Sequence, residues 1–341
     1  MCEVIRMKKV LVTLQDGVLK DTFMPKEVCA YLEEHFDVTY NEDGRSYTKE
    51  ELAVKLLEHD AVITGWGTTM LNRDVLEGND KLKLIVHTGG TVGNLVDEYA
   101  YQKGIRVLSG NNLYAESVAE GTIAYILMAL RRIPDYIEKV RDGEWRASDA
   151  LWEGLLDRSV GIVGLGTISK IVIRMLQPFR VKIKVFSHYE IEPEFLEKYG
   201  VEAATLDEIF STCDVVSVHS ALNDENRGLI GKRHFEMLKD GSLFLNTSRG
   251  RVIDEEALIE ELEKNRFRAV LDVFWKEPLA VDSKLRSLKN VYCIPHMAGP
   301  TLDRRKYITK ALIDDMRAFF NGAEKLDLEI NEEFAKRMTK A

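Results

Sequence analysis

Three short segments of this 341-residue chain hold side chains suited to moving a proton beside a hydride transfer: Asn246-Thr-Ser-Arg249-Gly250, Asp272-Val-Phe-Trp-Lys-Glu277-Pro278 and Ile294-Pro-His296-Met-Ala-Gly299. Oxidising a hydroxy acid needs a base for the hydroxyl proton, a cation for the carboxylate and an acceptor for the hydride. Histidine suits the first task because its ordinary pKa lies near neutrality, and a neighbouring carboxylate stabilises its protonated form. His296 is therefore assigned as acid and base, with Glu277 as its partner. Arg249 can present a planar fork to the carboxylate and polarise the adjacent carbonyl, more directionally than a lysine would. Asp272 is a candidate acceptor for a nicotinamide carboxamide. Singly, an arginine before glycine reads as a turn and Glu-Pro as a loop. The ordered set is far more specific than its members.

The hydride acceptor is sought in Gly161-Ile-Val-Gly164-Leu-Gly166-Thr167-Ile168-Ser169, which sits between an apolar strand and a helix burying Ile168, Ile171, Val172, Met175 and Leu176. Gly164 permits a tight turn, and Gly166 lets backbone amides approach a pyrophosphate at the positive end of the helix. Ser169 replaces the usual third glycine and is small enough to keep helix and strand close. The next strand, Lys182 to Phe186, runs into Ser187, His188 and Tyr189, with no carboxylate before Glu190 and no arginine for a ribose phosphate. The expected cofactor is NAD or NADP, with the choice left open.

These residues need strand ends to carry them. Short apolar runs bounded by turn residues alternate with segments of helical periodicity, the pattern of parallel sheets covered by helices. A first series of strands is expected at Val10 to Thr13, Val38 to Tyr40, Ala61 to Thr64, Leu84 to His87 and Arg106 to Leu108, with helices at Lys26 to Glu34 and Lys49 to Glu58. A long helix is expected from near Ala115, with Pro134 marking its end or a kink. A second series follows at Val160 to Val163, Ile183 to Phe186, Val215 to Val218, Leu243 to Leu245, Val270 to Val273 and Val291 to Ile294. Six such strands are enough for a dinucleotide-binding sheet, and the three chemical segments fall at the ends of its last three strands, where open parallel sheets bind ligands. A final helix, Leu302 to Phe320, should pack back on the first domain. Two α/β domains are expected, residues 1–115 with 301–341 for substrate and 116–300 for the dinucleotide.

Composition agrees with a small-molecule enzyme. The 56 Asp plus Glu exceed the 47 Lys plus Arg, which disfavours nucleic acid and membrane surfaces as partners because polyanions are repelled. Cys2, Cys29, Cys213 and Cys293 are scattered and form no CxxC pair, which suits reduced thiols, and no His, Cys and carboxylate grouping has metal spacing. There is no charged N-terminal region leading an apolar stretch, and no run approaches the ~20 apolar residues of a membrane span, so a cytoplasmic location is expected. His35, His59 and His234 lie in polar helical contexts and read as solvated. Trp66 reads as a lid over the first core or a wall of the cleft.

Gly161 to Ile168, Asp214 to Leu222 with Asn226 to Ile230, Asn246 to Asp254, Asp272 to Pro278 and Pro295 to Gly299 together resemble the D-isomer-specific 2-hydroxyacid dehydrogenase family. The resemblance implies a flavodoxin-like substrate domain and a Rossmann-like cofactor domain, both doubly wound, with a cleft that closes on the substrate. It implies a homodimer joined largely through the cofactor domain and the stretch near Arg131 to Trp145, and it gives Arg249, Glu277 and His296 their catalytic roles. Cofactor contacts would fall on Gly164, Gly166, Thr167, Ile168, Ser187, His219, Ala221, Thr247, Ser248, Asp272, Ala298 and Gly299, and substrate contacts on Gly89, Gly90, Thr91 and Arg249. The family's substrate loop, commonly Gly-x-Gly-x-Asp-Asn, reads Thr88-Gly-Gly-Thr-Val-Gly-Asn94 here, and Ala221 stands where a proline is usual. Two other readings are a dinucleotide-sensing binding protein with little turnover and a formate dehydrogenase-like enzyme; the second would want a neutral partner for the histidine in place of Glu277.

Overall fold

A computed structural model describes residues 7–145 and 152–338, and Cys2 lies outside them. Two compact units emerge, Met1–Tyr114 with Pro300–Ala341, and Ala115–Gly299.

The first unit is built on five parallel strands, β1 (Lys9–Val12), β2 (Asp37–Tyr40), β3 (Ala61–Thr64), β4 (Leu84–His87) and β5 (Arg106–Ser109), in the order β2-β1-β3-β4-β5. β3 and β4 are buried along their whole length, as strands covered on both faces must be, which explains their unbroken apolar sequences. One face carries the helix Leu302–Phe320, whose Ile308, Leu312, Ile313 and Met316 join the core formed by Val10, Val12, Ile63 and Val86.

The second unit holds seven parallel strands, β6 (Ser159–Val163), β7 (Lys182–Phe186), β8 (Val201–Ala203), β9 (Val215–Val218), β10 (Leu243–Asn246), β11 (Arg268–Leu271) and β12 (Val291–Cys293). Their order is β8-β7-β6-β9-β10-β11-β12. The chain therefore starts in the middle, builds outward through β7 to β8, and returns to the other side of β6 with β9. That reversal between β6 and β9 is the switch point at which such sheets leave a crevice.

Several local expectations change; in the helix Thr167–Leu176, Ile173 is buried where Met175 was expected to be, and Met175 is exposed. β8 makes seven strands where six were expected; it is three residues long and buries only Val201, too little for an apolar run to show. The long helix begins at Asn111 and ends at Leu130, and the break comes at Arg132, which is left-handed at φ 53°. Pro134 lies in the first turn of the following helix, Ile133–Arg141, where amides lack partners anyway and a missing N–H costs nothing. His59 is buried, with Nδ1 2.7 Å from the Lys55 carbonyl oxygen, and His35 and His234 are partly buried. The helix Asn111–Leu130 is also long and apolar enough, by length and composition alone, to cross a bilayer; its Ala119, Ile126, Ala129 and Leu130 are instead packed in the second unit's core.

Candidate active site

At the β6 edge, Gly164 has φ 95°, and a Cβ there would come within 2.7 Å of Ser220 Oγ and 2.8 Å of its backbone nitrogen. Both constraints demand glycine at that position. A Cβ on Gly166 would meet nothing within 4 Å, so space lies open above the start of the helix Thr167–Leu176, whose first turn carries no acidic residue. The amides of Thr167 and Ile168 have no carbonyl within the helix to bond. Ser169, in the third-glycine position, is fully buried; its hydroxyl accepts from Gly166 N at 2.7 Å and donates to Gly166 O at 3.1 Å. The serine thus fixes the turn from below and leaves the open side clear. These features fit a pyrophosphate at this turn.

Other expected cofactor contacts sit along the same carboxyl edge. Ser187 follows β7, and its Oγ accepts from Tyr189 N. His219 follows β9 with Nε2 2.9 Å from Ser217 Oγ; although part of its surface stays accessible, burial pushes its pKa down to about 4, so the ring is neutral at physiological pH. Ala221 is exposed. Thr247 is buried with its hydroxyl 3.3 Å from that of Thr122.

The three chemical loops are tied to one another. Arg249 follows β10 after two residues and is partly buried. Its Nη1 donates to Ser248 O at 2.7 Å, and no carboxylate among the described residues lies within ion-pair distance. Burial lowers its pKa, opposed by the charge of Glu277; an arginine so placed stays charged. A Cβ on the next residue, Gly250, would lie 2.0 Å from the Phe274 carbonyl carbon, so glycine alone lets the Arg249 loop pass against the loop bearing Glu277. In that second loop Glu277 Oε1 accepts from Phe274 N at 3.1 Å, while Oε2 is 2.7 Å from His296 Nδ1. The His296 side chain remains 49% exposed, and with Nδ1 engaged its Nε2 is the nitrogen available to a reactant.

The third loop is held by Asp272, the first residue past β11. Its buried carboxylate accepts from Met297 N at 2.7 Å and Ala298 N at 3.1 Å, the two residues that follow His296, which has φ 52°. Burial raises the Asp272 pKa, and those two amides pull against the rise. The expectation that Asp272 accepts from a carboxamide is thereby qualified: each oxygen already serves one backbone amide. Gly121 on the helix Asn111–Leu130 lies under this loop, where a Cβ would be 3.1 Å from Ala298 Cα. The residue left without a role in the sequence is Asn246. Its signal was an Asx pattern, a side-chain oxygen two residues ahead of an amide.

Of the expected substrate residues, Arg249 belongs to the second unit, and Gly89, Gly90 and Thr91 lie in the first. Gly89 is buried beside His87, whose Nε2 would be 2.3 Å from a Cβ at 89; Gly90 and Thr91 are partly buried. His87 is bonded through Nδ1 to Thr64 Oγ1 at 3.0 Å and burial lowers its pKa to about 4, making it a packing residue of the strand end. Trp66 is 46% exposed, edge-on to Phe23 and under the Arg305 guanidinium, which is neither a sealed lid nor a free surface.

Comparison with known proteins gives the following. Residues 123–298 match the family model described as D-isomer specific 2-hydroxyacid dehydrogenase, NAD binding domain. A D-3-phosphoglycerate dehydrogenase of Methanocaldococcus jannaschii is 33% identical over 277 residues, covering 81% of this chain and 52% of that protein; the chain spans about half the length of the phosphoglycerate dehydrogenases it matches. A hydroxypyruvate reductase of Thermotoga maritima is 31% identical over 269 residues, 78% of this chain and 86% of that protein. Among solved structures, a protein of Pyrococcus horikoshii OT3 superposes with a TM-score of 0.78 at 26% identity, covering 96% of each chain.

Proposed function

Because the chain belongs to the D-isomer specific 2-hydroxyacid dehydrogenase family, an NAD(P)-dependent oxidoreductase family, we propose that it interconverts a small D-2-hydroxy acid and its 2-oxo acid using Arg249, Glu277 and His296. The observation that carries this reading is the Glu277–His296 pair, whose Nε2 has no partner among the described residues, near an arginine that has no carboxylate within ion-pair distance among them. The nicotinamide, when bound, supplies or accepts the hydride.

In the reducing direction Arg249 takes the substrate carboxylate in its fork and draws electron density from the neighbouring carbonyl. The protonated His296 gives its Nε2 proton to the carbonyl oxygen, and Glu277, bonded to Nδ1, stabilises the imidazolium before transfer and fixes the tautomer after it. In the oxidising direction the neutral ring removes the hydroxyl proton through the same nitrogen. The turn at Gly164 to Ile168 would hold the pyrophosphate, and Ser187, His219, Ala221, Thr247, Ser248, Ala298 and Gly299 would line the rest of the dinucleotide. Ala115–Gly299 is accordingly assigned the cofactor role and the other unit the substrate role, with Gly89, Gly90 and Thr91 as contacts.

A homodimer is part of the proposal. The helix Ile133–Arg141 buries none of its residues, and Ile133, Ile137 and Val140 share one exposed face, with Trp145 77% exposed nearby in sequence. A monomer rarely leaves such a stripe uncovered, so a second copy is placed on it. A cytoplasmic location is also proposed, supported by free thiols at Cys29, Cys213 and Cys293.

The test is to mix the purified chain with NADH or NADPH and glyoxylate, hydroxypyruvate or its 3-phosphate, and to follow loss of reduced-nicotinamide absorbance. Turnover with at least one pair is expected. None with any pair would favour the dinucleotide-sensing reading.

A further inference from the structure

We infer that Asn246 is a positioning residue for Arg249, the clamp that decides where the guanidinium enters the site. The inference rests on the reading of Arg249 as the ligand of the substrate carboxylate. Asn246 is the last residue of β10, fully buried, and its backbone is fixed between two neighbours, in register with Val218 of β9 and Leu271 of β11. From that fixed base its side chain makes three bonds to the residues that follow. Oδ1 accepts from Ser248 N at 3.0 Å and Ser248 Oγ at 2.8 Å, and Nδ2 donates to Arg249 O at 3.0 Å. Downstream, Gly250 is pressed against the Phe274 carbonyl. Arg249 is thus held on both sides, and its own Nη1 returns to Ser248 O, the carbonyl of the residue Asn246 grips. Among the described residues no carboxylate is within ion-pair distance of the guanidinium, and its hydrogen bond is to the Ser248 carbonyl, so the shape of this loop sets its direction.

The two faces of the amide do different work. Oδ1 shapes the Ser248 segment, whereas Nδ2 acts on Arg249 alone. Asn246→Asp keeps the acceptor and removes the donor, placing oxygen against the Arg249 carbonyl. Asn246→Ala removes both.

A double-mutant cycle in the full chain tests this. Asn246→Ala is expected to lower kcat/KM for the 2-oxo acid about 30-fold or more, chiefly through KM, because a small displacement of a positioned charge is costly. In an Arg249→Ala background the same change should cost less than about twofold, since there is no guanidinium left to misplace. Asn246→Asp should show the same rise in KM with the NADH dissociation constant, read from nucleotide fluorescence, within about threefold of the parent. Equal fold losses in both backgrounds, or an Asn246→Asp enzyme with an unchanged KM, would overturn the clamp while leaving Arg249 in the reaction. An Arg249→Ala enzyme as active as the parent would overturn both readings.

Discussion

Replacing Asp272 by alanine should loosen the loop that carries His296 in its unusual backbone conformation. The carboxylate accepts from Met297 N at 2.7 Å and Ala298 N at 3.1 Å, with a longer third bond from the Tyr125 hydroxyl at 3.4 Å. Ala298 is buried and Met297 is largely exposed, so water can replace the first bond but not easily the second. Leaving one buried amide unpaired costs roughly 1–3 kcal/mol and losing a charge-assisted bond to a half-accessible amide roughly another 1 kcal/mol. The burial penalty that raises the Asp272 pKa is refunded in part. A net loss of about 3 kcal/mol follows, or roughly 6–12 °C in Tm for a domain of this size.

Catalysis should suffer more than stability. His296 sits at φ 52°, a region that disfavours a side chain by roughly 1–2 kcal/mol, so once released the residue relaxes away from it. Displacing the imidazole by about 1 Å should reduce kcat/KM on the order of 100-fold. Thermal unfolding by circular dichroism and steady-state kinetics with NADH and the accepted oxo acid measure the two effects. An Asp272→Ala enzyme within about threefold of the parent in kcat/KM would show that other contacts hold the loop, and the reasoning would fail.

Gly164→Ala, which combines a left-handed backbone with a 2.7 Å approach to Ser220, should destabilise by about 2–4 kcal/mol in a denaturant titration. Gly166→Ala, extended at φ −130° and facing open space, should barely change stability yet weaken NADH binding about tenfold or more, as read by isothermal titration. The Asp214 carboxylate is pushed up by burial but drawn down to about 2 overall by Lys239 Nζ at 2.6 Å and two bonds from Ser159. A folded-state pKa below the ordinary value makes its stabilisation, about 2 kcal/mol, fully present above pH 4 and lost as pH falls toward 2. Asp214→Asn should therefore unfold more easily than the parent at pH 7, with the gap closing in acid; a gap independent of pH would contradict the assignment.

Much of the fold was legible because buried parallel strands write themselves as apolar runs, and β3, β4 and β9 start and stop where those runs do. β8 was not, since an edge strand with one buried side chain leaves no run. The misplaced helix break shows a limit of a different kind: proline both ends helices and starts them, and only the left-handed Arg132 decides which. His59 looked solvated because its neighbours in sequence are charged, whereas its neighbours in space are not visible there. At the site the proposed acid–base residue, its partner and the cation were picked by type and order, each in a loop that follows a strand. What held them could not. Asp272 grips amides 25 and 26 residues away, and the close pass of Gly250 under Phe274 exists only once both loops are folded.

The most direct measurement is turnover by His296→Asn, a substitution chosen because asparagine tolerates the left-handed backbone better than most residues. With NADH affinity measured alongside, kcat should fall by about 10²–10⁴-fold, the usual contribution of a general acid–base residue, while the cofactor binds as tightly as before. A variant that reduces the oxo acid at the parent rate would mean that His296 does not carry the proton, and the catalytic set would have to be abandoned.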